Sequence, residues 1–182
     1  MSRPRKAHAE TPALDMETLF NEYHPRVYTY VRYRIADIAE AEDLTSEILE
    51  RALTHLASFD ARKGAFSTWL FRIAHNTLVN HLKKQYHRDR RHTDLGEGME
   101  DLAAAGPTPE QAVLQKEQMA RLLECLNTLP SRQQEILLLR FAGRLTNREI
   151  ARILMMNERT VGVTILRALR KLRQQFVARE AS

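Results

Sequence analysis

Seven histidines, one cysteine and 23 Asp or Glu side chains are the material from which this 182-residue chain could build a catalytic or metal site. Their spacing assembles neither. His75, His81, His87 and His92 stand six, six and five residues apart, whereas two ligands on one helix face need spacings of three or four. There is no nucleophile motif, no Gly-rich phosphate loop and no cysteine cluster. Cys125 lies among Leu122, Leu123 and Leu126 on a predicted helix, where a buried inert thiol belongs. No enzyme activity, metal or cofactor is expected. The groups that remain are those that hold nucleic acid: Lys and Arg for phosphates, Asn for base edges, and aromatic rings for stacking on unpaired bases.

Two helix faces concentrate such groups. Asn76, Asn80, Lys83, Lys84 and His87 share one side of a predicted helix, with Trp69 on the same side near its start. The lysines could also be answering the helix dipole, and Trp69 could be a core residue. Near the C-terminus, Arg159, Thr160, Val163, Arg167 and Arg170 fall opposite an apolar stripe of Val161, Ile165, Ala168, Leu169 and Leu172, with Phe176 beyond. A third face is acidic. Glu40, Asp43, Glu47 and Glu50 lie opposite Leu44, Ile48 and Leu56, either as a solvated face or as a surface for a basic partner.

The elements that position these faces are all predicted to be helices. Apolar residues recur every three or four positions, and six Gly and six Pro are too few to interrupt them often. One stripe is Leu19, Phe20, Tyr23, Val27, Tyr30 and Val31. A second is Ala41, Leu44, Ile48, Ala52 and Leu56. A third has Leu70, Ala74, Thr77, Leu78 and His81 on one side. The segment from Phe59 to Gly64 separates the second from the third. A loose tail is expected over 1–14, a first helical domain over 15–92, a flexible linker over 93–112 and a second helical domain over 113–178. The linker holds Gly96, Gly98, Gly106, Pro107 and Pro109.

In the second domain Ser131 and Gln134 have capping-box spacing, and the helix they open runs through Leu137 and Phe141 to Gly143 as its C-cap. Thr146 and Glu149 form another capping box ahead of Ile150, Ala151, Ile153 and Leu154. A turn at Met155-Met156-Asn157 leads to the last helix, with Asn157 as cap. Two helices joined by a short turn, the second long and basic, describe a helix-turn-helix whose second helix enters the major groove. A plain helical bundle with solvated arginines would share much of this pattern. Charge argues for the DNA-binding reading. Residues 116–182 carry a net +7, residues 93–115 a net −5 and residues 15–92 a net +1. The polar, basic start and the absence of a long apolar run predict no signal peptide and no membrane insertion, hence a cytoplasmic protein.

Both helical blocks resemble the sigma-70 superfamily, in particular its compact extracytoplasmic-function group. The stretch Ala41-Glu42-Asp43-Leu44-Thr45-Ser46-Glu47-Ile48 is similar to region 2.2. Phe66-Ser67-Thr68-Trp69-Leu70-Phe71-Arg72-Ile73-Ala74-His75-Asn76 is similar to regions 2.3 and 2.4, and Leu129-Pro130 through Leu172 to region 4. The resemblance implies two small helical domains that bring core RNA polymerase to promoters. Asp43, Leu44, Glu47 and Glu50 would meet the β′ clamp helices. Arg62, Lys63, Trp69, Asn76, Asn80, Lys83 and Lys84 would serve the opened minus-ten element, with a flipped base captured by the loop from Phe59 to Phe66. Arg148, Arg159, Thr160, Val163, Thr164, Arg167 and Arg170 would face the minus-thirty-five element, and region 4 would also meet the β flap. The acidic linker would follow a path toward the active-site and RNA-exit channel. An anti-sigma factor is a further candidate partner, since many members of the family have one.

The sequence departs from the family in the helix-turn-helix. Met155 stands where the turn usually has Gly. Thr160-Val161-Gly162-Val163-Thr164 replaces the usual Thr-Val-Lys-Ser-Arg, losing two basic positions and adding a glycine that costs about 1 kcal/mol of helix propensity. The competing reading is a stand-alone helix-turn-helix regulator that binds promoter duplex without polymerase. A helical adaptor for protein partners alone would leave the basic faces idle.

Overall fold

The computed structural model describes residue 17 and residues 19–89 and 124–180. The expected tail (1–14) and linker (93–112) lie outside the described residues, as does the side chain of His87. Every regular element described is a helix. A π-helical turn at Leu19–Tyr23 runs into α1 (His24–Arg32), which carries Pro25 in its first turn, where a missing N–H costs little. Helix α2 (Ile38–Thr54) starts on Asp37, whose carboxylate accepts from the Glu40 amide at 2.7 Å. A short 3-10 turn at Leu56–Ser58 and the loop after it lead to α3 (Phe66–Asp89).

The apolar stripes close over one another as the periodicity predicts. Val27, Tyr30 and Val31 of α1, Ala41, Leu44, Ile48 and Ala52 of α2, and Leu70, Ala74, Thr77 and Leu78 of α3 are all buried. Leu56 and His81 are half-buried, and His81 Nε2 shares a 2.9 Å hydrogen bond with Glu40.

The second half contains α4 (Ser131–Phe141), α5 (Asn147–Leu154) and α6 (Glu158–Glu180). The Thr146–Glu149 capping box forms in both directions. Asn157 Oδ1 accepts from the Arg159 amide at 2.8 Å at the start of α6. Cys125 is buried.

Three sequence expectations are corrected. Ser131 does not cap α4, because Pro130 occupies the cap position and offers no side-chain acceptor; Gln134 Nε2 instead donates to the Leu129 carbonyl at 2.8 Å. Gly143 is not the cap residue of α4, which is Ala142, and the left-handed residue in this turn is Arg144. Gly143 is needed for space: a β-carbon there would stand 2.6 Å from the Leu139 carbonyl oxygen. Leu169 is exposed, because α4 and α5 cover only the face of α6 that carries Val161, Ile165, Ala168 and Leu172.

The two halves pack directly on each other. Helix α3 lies against α5, and α1 reaches α4 and the turn after it. At the centre is Glu135 of α4, only 5% exposed. Its Oε1 accepts from the Tyr30 hydroxyl and pairs with His75 Nδ1 at 2.8 Å, and its Oε2 accepts from Arg34 Nη1 at 2.9 Å. Burial alone would raise the Glu135 pKa. The hydrogen bonds from His75 and Tyr30, with the charges of His75 and Arg34, outweigh burial and hold the carboxyl below its ordinary value.

Two expectations follow from this geometry. Met155 closes α5 in the left-handed region, at φ 51 and ψ 49, with its side chain 92% exposed. Met155→Gly removes a penalty of about 1 kcal/mol, partly offset by glycine's greater freedom in the unfolded chain. The urea midpoint should rise; a lower midpoint would mean that the methionine side chain contributes packing. The second concerns pH. A depressed folded pKa at Glu135 contributes stability that is fully present above the ordinary carboxylate value and is lost as pH falls through the folded one. The thermal midpoint should fall on acidification through that range, and Glu135→Gln should flatten the dependence there. An unchanged pH profile in the variant would contradict the assignment.

Candidate nucleic-acid and polymerase interfaces

Helix α3 buries one side and leaves the opposite side to solvent. Asn76, Asn80, Lys83 and Lys84 are all exposed on that side, so the structure brings the predicted residues together as one polar face. Tyr86, also exposed, adds an aromatic ring at the basic end of the same helix. Tyr86 is not among the residues expected from the sequence, although an aromatic two residues beyond Lys84 is the signal for it.

The loop between the 3-10 turn and α3 is built on an aromatic cluster. Phe59 and Phe66 meet edge to face at 5.3 Å between ring centres, and Trp69 lies 5.7 Å from Phe59 and 5.4 Å from Phe66. Trp69 therefore belongs partly to the packing, but it also lines an open cavity of about 450 Å³ together with Phe59, Asp60, Lys63 and Arg72. That volume is in the range of sites for small ligands. Arg62 does not point into the cavity. Its guanidinium grips Asp60 through Nε and Nη2, both at 2.9 Å, while its amide donates to Asp60 Oδ1 at 3.0 Å. The Arg62 hydrogen bonds hold the Asp60 carboxyl at about 2. The fork fixes the loop and offsets part of the Arg62 charge, although the Arg62 side chain stays 90% exposed, and Lys63 is exposed beside it.

The acidic face of α2 is less uniform than its sequence implies. Asp43 and Glu50 are exposed. Glu47 pairs with Arg51 at 2.6 Å one turn along. Glu40 turns toward α3 and accepts from both His81 and Gln85. Leu44, grouped with the acids as a candidate contact, is 2% exposed and packs in the core. It sits on the side of α2 that faces α1 and α3, beneath the exposed Asp43.

On α6 the predicted outward face is present. Arg159, Thr160, Val163, Arg167 and Arg170 are exposed, as is Arg148 at the start of α5. Val163 is 40% exposed, an uncovered apolar group among arginines. Thr164 is half-buried, and its hydroxyl donates to the Thr160 carbonyl one turn back at 2.7 Å. A β-carbon on Gly162 would stand 3.3 Å from the Asn147 side-chain nitrogen, a tight contact that a small shift of that side chain would relieve.

A further surface escaped the sequence analysis. Phe141 is 60% exposed and, with Leu169, Leu138, Leu172 and Tyr33, lines an apolar groove of about 270 Å³. Periodicity places Leu169 on the buried stripe of the last helix and leaves the side of Phe141 unassigned, and only the packing shows that no helix among the described residues covers them. No described helix is long and apolar enough to cross a membrane.

Comparison with known proteins gives a consistent answer. The Sigma-70 region 2 family matches residues 19–88, and the Sigma-70 region 4 family matches residues 119–172. The ECF RNA polymerase sigma factor BldN of Streptomyces coelicolor is 37% identical over 154 residues, covering 85% of this chain, and the chain spans 57% of that relative's length. The ECF RNA polymerase sigma factor SigW of Bacillus subtilis is 30% identical over 160 residues, covering 85% of this chain and 84% of SigW. Among solved structures, the sigma factor RpoE of Bartonella quintana, crystallised with the anti-sigma factor NepR, has the same fold. Its TM-score is 0.68 at 21% identity, covering 87% of this chain and 92% of that one. With both matched regions in order, and SigW aligned over most of both chains, this chain belongs to the extracytoplasmic-function sigma factors of the sigma-70 family.

Proposed function

We propose that this chain binds core RNA polymerase in the cytoplasm and directs it to promoters by reading a minus-ten and a minus-thirty-five element. The observation that carries this reading is the pairing of two exposed polar surfaces, one in each matched region: Asn76, Asn80, Lys83 and Lys84 on α3, and Arg159, Thr160, Arg167 and Arg170 on α6. The α2 edge at Asp43 and Glu50, with Glu47 beside them, meets the β′ clamp helices. The α3 face of Asn76, Asn80, Lys83 and Lys84 holds the opened minus-ten strand, and the cavity beside Phe59, Lys63 and Trp69 takes an extruded base. Arg148, Arg159, Thr160, Val163, Arg167 and Arg170 serve the minus-thirty-five duplex. The groove beside Phe141 is the surface for the β flap, and an anti-sigma factor is a further partner of the chain.

The test is transcription in vitro with core polymerase on a genomic library, asking whether adding this chain starts transcripts at defined sites. In the same assay Lys83→Ala with Lys84→Ala should lower open-complex formation and flatten its salt dependence, because each lost phosphate contact releases fewer counterions. Core binding should survive. A normal salt slope with normal opening would return these lysines to a solvated helix end.

Val163 offers a sharper test of sequence reading. An apolar side chain in the major groove can contact the thymine methyl group. Selection from a randomised promoter pool should give a preference at one base pair that Val163→Ser changes. Arg159→Ala and Arg167→Ala should each cost about 1–3 kcal/mol at particular bases if they read sequence, or weaken all sequences alike if they hold phosphate. Identical selections with wild type and Val163→Ser would remove Val163 from base reading.

A further inference from the structure

The loop before α3 and the helix α5 enclose a cavity in which aromatic rings and positive charge meet. Its rings are Phe59 and Trp69, and its cations are Lys63, Arg72 and Arg152, all three exposed. Arg152 comes from α5, where the buried Ile153 backs the same wall. A β-carbon on Gly64 would stand 3.5 Å from Arg152 Nη1, so that guanidinium lies against the loop.

The cations of this wall differ from the paired arginines of the fold. Arg26, Arg34, Arg51 and Arg62 each meet a carboxylate. Among the described residues Arg72 and Arg152 have no such partner. Two acids stand nearby, and both are engaged elsewhere. Asp60 lines the cavity, but the Arg62 fork holds both of its oxygens. Glu149, one turn before Arg152, accepts from Ser67 and Thr68 on Oε1 and from Thr146 on Oε2. The wall therefore keeps an excess of positive charge. Like charges on a concave wall repel until an anion joins them, and a cleft focuses their field on that position. A volume of about 450 Å³ suits an organic ligand and far exceeds a simple ion.

We propose that this cavity binds a nucleoside di- or triphosphate, with its base against Trp69 and Phe59 and its phosphates on Lys63, Arg72 and Arg152. An aromatic heterocycle matches the rings. Lys and Arg match phosphate oxygens, Arg through two parallel hydrogen bonds. Three cations call for more than one phosphate group. The site is distinct from the extruded-base pocket described above, because that pocket uses the loop and α3 alone, whereas this ligand reaches Arg152. On the sigma-factor reading, a nucleotide on Trp69 and an extruded promoter base exclude each other. That consequence rests on the reading above; the site itself is a property of the chain alone.

Trp69 is the only tryptophan in the chain, so its fluorescence reports the site directly. The full chain is titrated with ATP and with GTP. Parallel titrations use adenosine, which has the ring alone, and inorganic triphosphate, which has the charge alone. ATP or GTP should change Trp69 emission saturably, at concentrations about tenfold or more below either control, since each control lacks one set of contacts. Arg152→Ala and Lys63→Ala should each weaken nucleotide binding about tenfold or more, with helicity unchanged by circular dichroism. Arg173→Ala removes one exposed charge outside the cavity lining and should leave binding as it is. The absence of a saturable change with either nucleotide would refute the site. Inorganic triphosphate binding as tightly as ATP would reduce it to a patch of positive charge and refute base recognition. Equal weakening by Arg173→Ala and Arg152→Ala would show general charge attraction and overturn the cavity as its seat. If Arg152→Ala loses helicity, Lys63→Ala decides, since Lys63 stands in an exposed loop. No polymerase enters these titrations, so failure of the site leaves the sigma-factor reading standing, and failure of that reading in transcription leaves the site standing.

Discussion

A carboxylate shut away from water must be answered by donors, or it costs several kcal/mol. Glu135 is answered only when α4 lies against α1 and α3, because Tyr30 and Arg34 come from or just beyond α1 and His75 comes from α3. That requirement fixes how the two halves sit. It brings Arg26 onto the Gly143 carbonyl, sets α5 along the start of α3 and puts Arg152 at the mouth of the aromatic cavity. The faces assigned to DNA on α3 and α6 remain exposed throughout.

The helices and their buried sides were legible in the sequence, because burial repeats with the helical period. Val27, Ala41, Ile48, Leu70 and Val161 each fall on an inward stripe by spacing alone, and each is buried. Caps were legible where side chains make them. Thr146–Glu149 and Asn157 do so, whereas Ser131 looked like a cap only because Pro130 was not weighed as the cap residue. Gly162 appeared as a loss of helix propensity. In the structure it lies beside Asn147, whose side-chain nitrogen a β-carbon would approach to 3.3 Å.

What was not legible depends on contacts between distant segments. Nothing in the local pattern distinguishes Glu135 from a solvated acid on an amphipathic helix, since its partners lie between 60 and 105 residues away. Leu169 falls on an apolar stripe, and periodicity says which side of a helix is apolar without saying whether anything covers it. Arg62 reads as a free cation two residues beyond Asp60, and only the loop geometry turns the pair into a fork. Charge and type thus identified the surfaces, while the packing decided which members of each surface are available.

Glu149 is shared between two tasks, and the division falls between its two oxygens. Oε2 accepts from the Thr146 amide and hydroxyl within its own half, while Oε1 faces Thr68 and Ser67 across the contact. Parting the halves strips only Oε1, which water can serve, and leaves the cap of α5 intact. The capping box that starts α5 therefore draws on one oxygen of Glu149 and the contact between the halves on the other, so neither competes for the other's lone pairs.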